Sequence, residues 1–240
     1  MTKVKKHLGE TMNMKNVLTL FGVLLLGMGL VFAISGAATS GETDLARWTG
    51  ATAGNATTEG GNITDVDVDA DSLTDRWGAF FGNVSGYLSL TDGAGVNDVY
   101  NWTWAAASQG EVCVSTDQAF DWANVEDSDA ADVVAMNTAF GLGAAVDNTT
   151  GTFSTNNCGL TFDQGAVANT ANVTHMGLSS FETCAVDDSV TGTEGGFAFC
   201  TNIDATGTNY NGTTANYEIM VPTTPGAGNA ETYYFFAELA

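Results

Sequence analysis

Apolar residues fall into two regimes along this 240-residue chain. Val17 to Ile34 (VLTLFGVLLLGMGLVFAI) is one continuous, mostly apolar run, whereas everything after it breaks into short pieces between Gly-, Thr-, Asn- and Asp-rich stretches. Short runs bounded by turn residues predict strands, and the long run predicts a helix that engages a membrane or the export machinery.

The clearest hairpin joins Tyr87–Leu90 to Val96–Trp104 through Thr91, Asp92, Gly93, Ala94 and Gly95. Leu88 and Leu90 share one side of its first strand; Tyr100, Trp102 and Trp104 share one side of the second. Upstream, Ile63, Val66, Val68 and Ala70 interleave with Asp65, Asp67, Asp69 and Asp71, the period-two pattern of a strand with one buried and one acidic face. Val112, Val114 and Phe120–Val125 continue the β pattern, and Phe197–Ile203, Tyr217–Val221 and Tyr233–Leu239 supply late strands. Residues 126–196 are small and polar and read as an elaborated loop region stapled by cysteines, with one short helix over Asp129–Phe140. Trp77, Trp102, Trp104 and Trp122 are expected in the core rather than stacked on sugars. The fold class predicted is all-β: an antiparallel β-sandwich, Ig-like or jelly-roll-like, preceded by an N-terminal signal or anchor helix.

Charge divides the chain at the same place as hydropathy. Lys3, Lys5, Lys6 and Lys15 precede the apolar run, and beyond it the basic residues are Arg47 and Arg76 against twenty-seven acids. A basic start, an apolar stretch and the small residues Ser35, Gly36, Ala37 and Ala38 make a signal peptide, residues 1–37, with cleavage after Ala37. Retention as an anchor is the rival, since eighteen residues span roughly 27 Å of helix against a bilayer core of about 30 Å. Residues 38–60 then form a flexible linker, and residues 61–240 the β domain. The whole sequence carries a net charge of −22, concentrated in the exported part, which suits a salt-rich medium that screens its self-repulsion. Asp in excess of Glu, with lysine missing, resembles the proteomes of extreme halophiles. Nucleic acid is excluded as a partner for want of a basic stripe, and the membrane is met only through the N-terminal segment if it stays uncleaved.

Cys113, Cys158, Cys184 and Cys200 are an even set in an exported chain and read as two disulfides. Spacings of 45, 26 and 16 residues leave three pairings open and contain no zinc pattern; Cys184 is expected to pair with Cys200, the shortest loop. Asn55, Asn62, Asn83, Asn101, Asn148, Asn172 and Asn211 each begin an N-x-S/T glycosylation acceptor and are expected at exposed positions.

Two blocks carry a resemblance. SLTDRWGAFFGNVSG (Ser72–Gly86) and YEIMVPTTPGAGNAETYYFFAEL (Tyr217–Leu239) are similar to segments of uncharacterised acidic secreted or cell-surface proteins of archaea, including halophilic and small symbiotic lineages. The resemblance implies an exported surface protein and brings no catalytic residues with it.

For chemistry, Asp65, Asp67, Asp69, Asp71 and Asp75 are the strongest ligand-like group, because calcium takes six to eight hard oxygens. Ala70 stands where an EF-hand needs its turn glycine and Arg76 where it needs the bidentate glutamate, so a solvated acidic face is favoured over a calcium site. No catalytic or cofactor-binding residue is singled out: His175 is the histidine of the exported part, and no orienting partner lies near it in sequence. The function expected is an exported structural or adhesive cell-surface glycoprotein, a self-assembling surface or filament subunit adapted to high salt, whose partners are its own copies or other surface components. A carbohydrate- or calcium-binding module is the alternative, and a secreted hydrolase the remote one.

Overall fold

In the computed structural model the described residues are 34–39, 55–68, 72–92, 96–104, 110–163, 165–189, 193–226 and 229–239. They form a predominantly antiparallel β structure. The strands are β1 (Ser35–Gly36), β2 (Trp77–Gly82), β3 (Gly86–Thr91), β4 (Asp98–Trp104), β5 (Gly110–Ser115) and β6 (Glu126–Asp127), followed by β7 (Ser154–Phe162), β8 (Gly165–Thr174), β9 (Glu182–Asp187), β10 (Phe197–Asn202), β11 (Tyr217–Pro222) and β12 (Tyr234–Leu239). The main sheet runs β1-β12-β5-β10-β9-β8-β7, with β6 added to β9; β2 pairs with β11, and β3 pairs with β4.

Both faces of the main sheet are covered at its centre, so β5, β9 and β10 are buried along almost their whole length and read as unbroken apolar runs rather than alternations. On one face Val112, Val114, Ala185, Phe197 and Phe199 meet Ile219 and Val221 of β11 and Val133 and Met136 of helix α1 (Ala130–Ala139). On the other, Cys113, Cys200, Val186 and Phe236 meet Leu160, Phe162 and Val167 of the β7–β8 hairpin, together with Phe120 and Trp122. Register irregularities at Cys158 and Gly159 of β7 belong to a hairpin whose far end folds back over its own sheet.

Helix α1 lies within the expected span. Asp129 is its N-cap, accepting from the N–H groups of Ala131 and Asp132, while the Asp132 carboxylate accepts from the Asp129 N–H; this reciprocal arrangement satisfies donors a helix start leaves orphaned. Among the described residues no helix is long and apolar enough to cross a membrane; the run from Val17 to Phe32 lies outside them.

Three expectations need correction. Residues 126–196 are not chiefly loop, since they supply β7, β8 and β9 of the main sheet. Asn62–Val68 is not a strand: Ile63, Val66 and Val68 are exposed, because the segment pairs with no neighbour that would bury their face. Phe120–Val125 contains a 3-10 turn, Trp122–Asn124, started by the Asp121 side chain bonding the Ala123 N–H. Around Ala37, the expected cleavage point, the chain is paired with β12. Ile34 is buried, Ser35 and Gly36 pair with Ala237 and Phe236, and the Ala37 N–H donates to Phe235 O at 2.8 Å.

Candidate functional site

The β3–β4 hairpin is the principal surface feature. Its register places Leu90 opposite Tyr100, Leu88 opposite Trp102 and Ser89 opposite Asn101. The hairpin stands outside the main sheet, and at its base Gly86 leaves room for Leu239, whose Cδ1 would lie 2.9 Å from an added Cβ. Leu90, Tyr100 and Trp102 are 53%, 59% and 52% exposed, and the Tyr100 and Trp102 rings meet edge to face at 5.0 Å. Trp102 is therefore not a core residue, contrary to expectation. Trp77 and Trp122 do pack inward: Trp77 lies against Phe153 at 5.8 Å and donates through Nε1 to Asp147 O at 2.6 Å, and Trp122 lies against Phe120, Phe162 and Phe236. Exposed aromatics grouped on one hairpin are the usual mark of a contact surface.

Among the described residues, Asp65, Asp67 and Asp75 do not gather into a metal-like cluster. Asp65 and Asp67 sit exposed on irregular chain, Asp69 and Asp71 lie outside the described residues, and Asp75 is paired with Arg76 Nη1 at 2.8 Å. Arg76 also reaches Asp147 at 3.4 Å and donates through Nε to Leu142 O. This cation pins the start of β2 to the 142–147 turn and is structural.

The disulfides join Cys113 to Cys200 and Cys158 to Cys184, so the shortest-loop pairing is wrong. Cys113, Cys200 and Cys184 stand in one row, with Cys200 the register partner of both others. Sequence distance could not choose between the two register neighbours of Cys200 in the ladder. The thiols of Cys158 and Cys184 also lie beside Glu182 in a metal-like grouping, but their sulfurs are consumed by the disulfide.

Of the glycosylation acceptors, Asn55, Asn62, Asn83, Asn101 and Asn211 are exposed. Asn148 is half-buried and caps a helical turn through Gly151 N–H. Asn172 breaks the expectation of exposure: it is buried, and its amide donates to Glu182 Oε2 at 2.6 Å.

His175 does have an orienting partner, supplied from a distant strand. Its Nδ1 lies 2.7 Å from Glu218 Oε1 and its Nε2 2.8 Å from Thr183 Oγ1. Thr183 Oγ1 accepts from the Met220 N–H, and Glu218 Oε2 from the Tyr210 N–H. Hydroxyl, imidazole and carboxylate in line are the geometry of a nucleophilic triad, yet Thr183 is fully buried. A substrate carbonyl has no room at that oxygen, so the arrangement is a sealed polar relay. Burial holds the His175 imidazole below its ordinary value, partly opposed by Glu218.

Two further acidic groupings emerge. An open groove of about 580 Å³ is lined by Asp117, Glu194, Glu231 and Tyr234 among others, and burial plus the Glu231 charge raises the Glu194 acid. Beneath the end of β7, Glu111 and Glu238 lie side by side and buried. The abundance of acids hid both groupings from sequence reading; loop packing gathers the first and ladder register the second.

No family model, curated protein or solved structure matches the chain.

Proposed function

We propose that this protein is an exported structural or adhesive component of the cell surface, and that the β3–β4 hairpin is its contact element, joining copies of the chain or other surface components. The observation that carries the reading is the exposed Leu90–Tyr100–Trp102 cluster on a hairpin outside the main sheet. Between Gly86 and Trp104 the charged residues are Asp92 and Asp98, in a chain of net charge −22. A second copy can therefore approach this hairpin with little of the like-charge repulsion it meets elsewhere. Two disulfides accord with an oxidising, extracellular setting. The acidic surface fits a salt-rich medium, and Asn83 and Asn101 offer glycan sites at and beside the hairpin. The Ig-like or jelly-roll-like sandwich goes with this reading, supported by the β2–β11 pair packed over one face of the main sheet.

Sedimentation at molar salt tests it, paired with electron microscopy of native cells. Wild-type protein is expected to assemble, and Tyr100→Ser with Trp102→Ser to stay monomeric with an unchanged Tm. A wild-type protein that is monomeric at every concentration, and is released from cells, would overturn the proposal.

The groove of Asp117, Glu194 and Glu231 favours a second reading, a carbohydrate-binding module. Tyr234 offers a ring and the carboxylates offer acceptors to sugar hydroxyls. Calorimetry against a panel of oligosaccharides, with Glu231→Gln as control, decides it.

A further inference from the structure

We propose that Glu111 and Glu238 form a divalent-cation site, of the calcium type, that fastens the end of β7 onto β5 and β12. The two residues are direct register partners across the β5–β12 ladder, which places their side chains on one face at neighbouring positions. Each is fixed by an amide of the overlying strand end. The Thr161 N–H donates to Glu111 Oε1 at 3.1 Å and the Asp163 N–H to Glu238 Oε1 at 2.8 Å.

That leaves Glu111 Oε2 and Glu238 Oε2. Both atoms are buried without a hydrogen-bond partner, in residues only 3% and 5% exposed. A buried carboxylate oxygen left unpaired is costly, and two adjacent carboxylates compound the cost through like-charge repulsion. Burial and the neighbouring Glu238 charge push Glu111 up to about 7, against the Thr161 hydrogen bond.

A positive charge between the two free oxygens removes both penalties at once. Among the described residues the chain's own arginine, Arg76, is committed to Asp75, Asp147 and Leu142. The donors available are hard carboxylate oxygens, which select calcium-like ions over soft metals. Asp163 adds a nearby charge, and Asn202 is the register partner of Glu111 on β10; both are exposed and border the pair.

Terbium luminescence and thermal melting test the site at fixed high ionic strength, so that general screening is constant. Trp122, packed on Phe162 and Phe236, is the sensitiser. The wild-type protein is expected to give a saturable terbium signal displaced by calcium, and a Tm that rises with calcium. Glu111→Gln and Glu238→Gln are each expected to weaken binding at least about tenfold, because each removes one of two charged ligands. Glutamine keeps an acceptor for Thr161 or Asp163 and removes a buried charge, so both variants are expected to melt at or above the wild-type Tm in chelator. The quintuple change of Asp65, Asp67, Asp69, Asp71 and Asp75 to Asn is expected to leave the terbium signal intact. Wild-type calcium response surviving in both glutamine variants overturns the proposal. So does a wild-type protein that ignores calcium while Glu111→Gln raises its Tm, which would mean that the pair shares a proton instead.

Discussion

His175 Nδ1 and Glu218 Oε1 meet at 2.7 Å, with both side chains almost wholly withdrawn from solvent. Hydrogen-bond directions along this relay are set by its backbone ends. The Met220 N–H donates to Thr183 Oγ1, which frees the hydroxyl proton for His175 Nε2; Nδ1–H is then the donor to Glu218. A neutral imidazole satisfies every member of the chain. Removing one member strands its neighbour in a low-dielectric interior, at a cost of about 3 kcal/mol. Glu218→Gln and Thr183→Val are expected to lower Tm by roughly 6–12 °C for a domain of this size, measured by calorimetry.

The same relay has an acid limb. Since burial depresses the folded-state value of His175, the unfolded chain takes up a proton first as pH falls. The stability contributed is fully present above about 6.5 and is lost as pH drops through the lower, folded value. His175→Gln is expected to flatten the decline in Tm below that pH relative to wild type.

Asp187 works in the opposite sense. Burial raises its acid to about 7, with the Asp132 and Glu126 charges adding to the shift and the Ser189 N–H opposing it. Its folded form holds a proton that the unfolded chain releases near the ordinary carboxylate value, so its contribution is full at acid pH and lost as pH rises through about 7. Asp187→Asn is expected to remove that alkaline decline, an effect of a few kcal/mol at most, read from Tm between pH 4 and 8.

How much of this was legible depends on how strands are buried. The β3–β4 hairpin and β12 announce themselves through aromatics, and α1 as the one stretch of residues 126–196 that reads as a short helix. Strands β7, β8 and β9 do not. Their buried positions include Thr170, Ala171, Thr183, Cys184 and Ala185, small residues that the sequence also uses in turns. Packing against Phe197 and Phe199 decides their state, and that is a property of the tertiary arrangement. The Ile63–Val68 alternation failed for the converse reason, having the right period with no partner strand. The relay and the Glu111–Glu238 pair escaped notice because sheet packing in the first and strand register in the second, not sequence spacing, bring their members together.

Loss of the disulfides should be unequal. Cys113–Cys200 closes a separation of 87 residues and Cys158–Cys184 one of 26. On loop-closure entropy the first contributes roughly 4–5 kcal/mol and the second roughly 3–4. Cys113→Ala with Cys200→Ala is therefore expected to lower the denaturation midpoint more than the Cys158, Cys184 double variant, in urea titrations at constant salt.

A chain that begins at Ala38 loses β1 and the burial of Ile34. The expected cost is about 2 kcal/mol from the lost apolar contact, with faster amide hydrogen exchange in Tyr234–Leu239. Equal stability of the two forms would show that β1 adds nothing to the β12 edge.

Through β1, the residues that follow the apolar run are laced to the final strand, and the order β1-β12-β5-β10 fixes what a pull on that run would meet. Tension entering at Ser35 passes first into the β12 ladder and then across to β5. At Cys113 the path changes character, because β5 is joined covalently to β10 through Cys200. For a force applied at Ser35, mechanical failure is thus confined to β1 and β12, and the disulfide-joined centre of the sheet is spared.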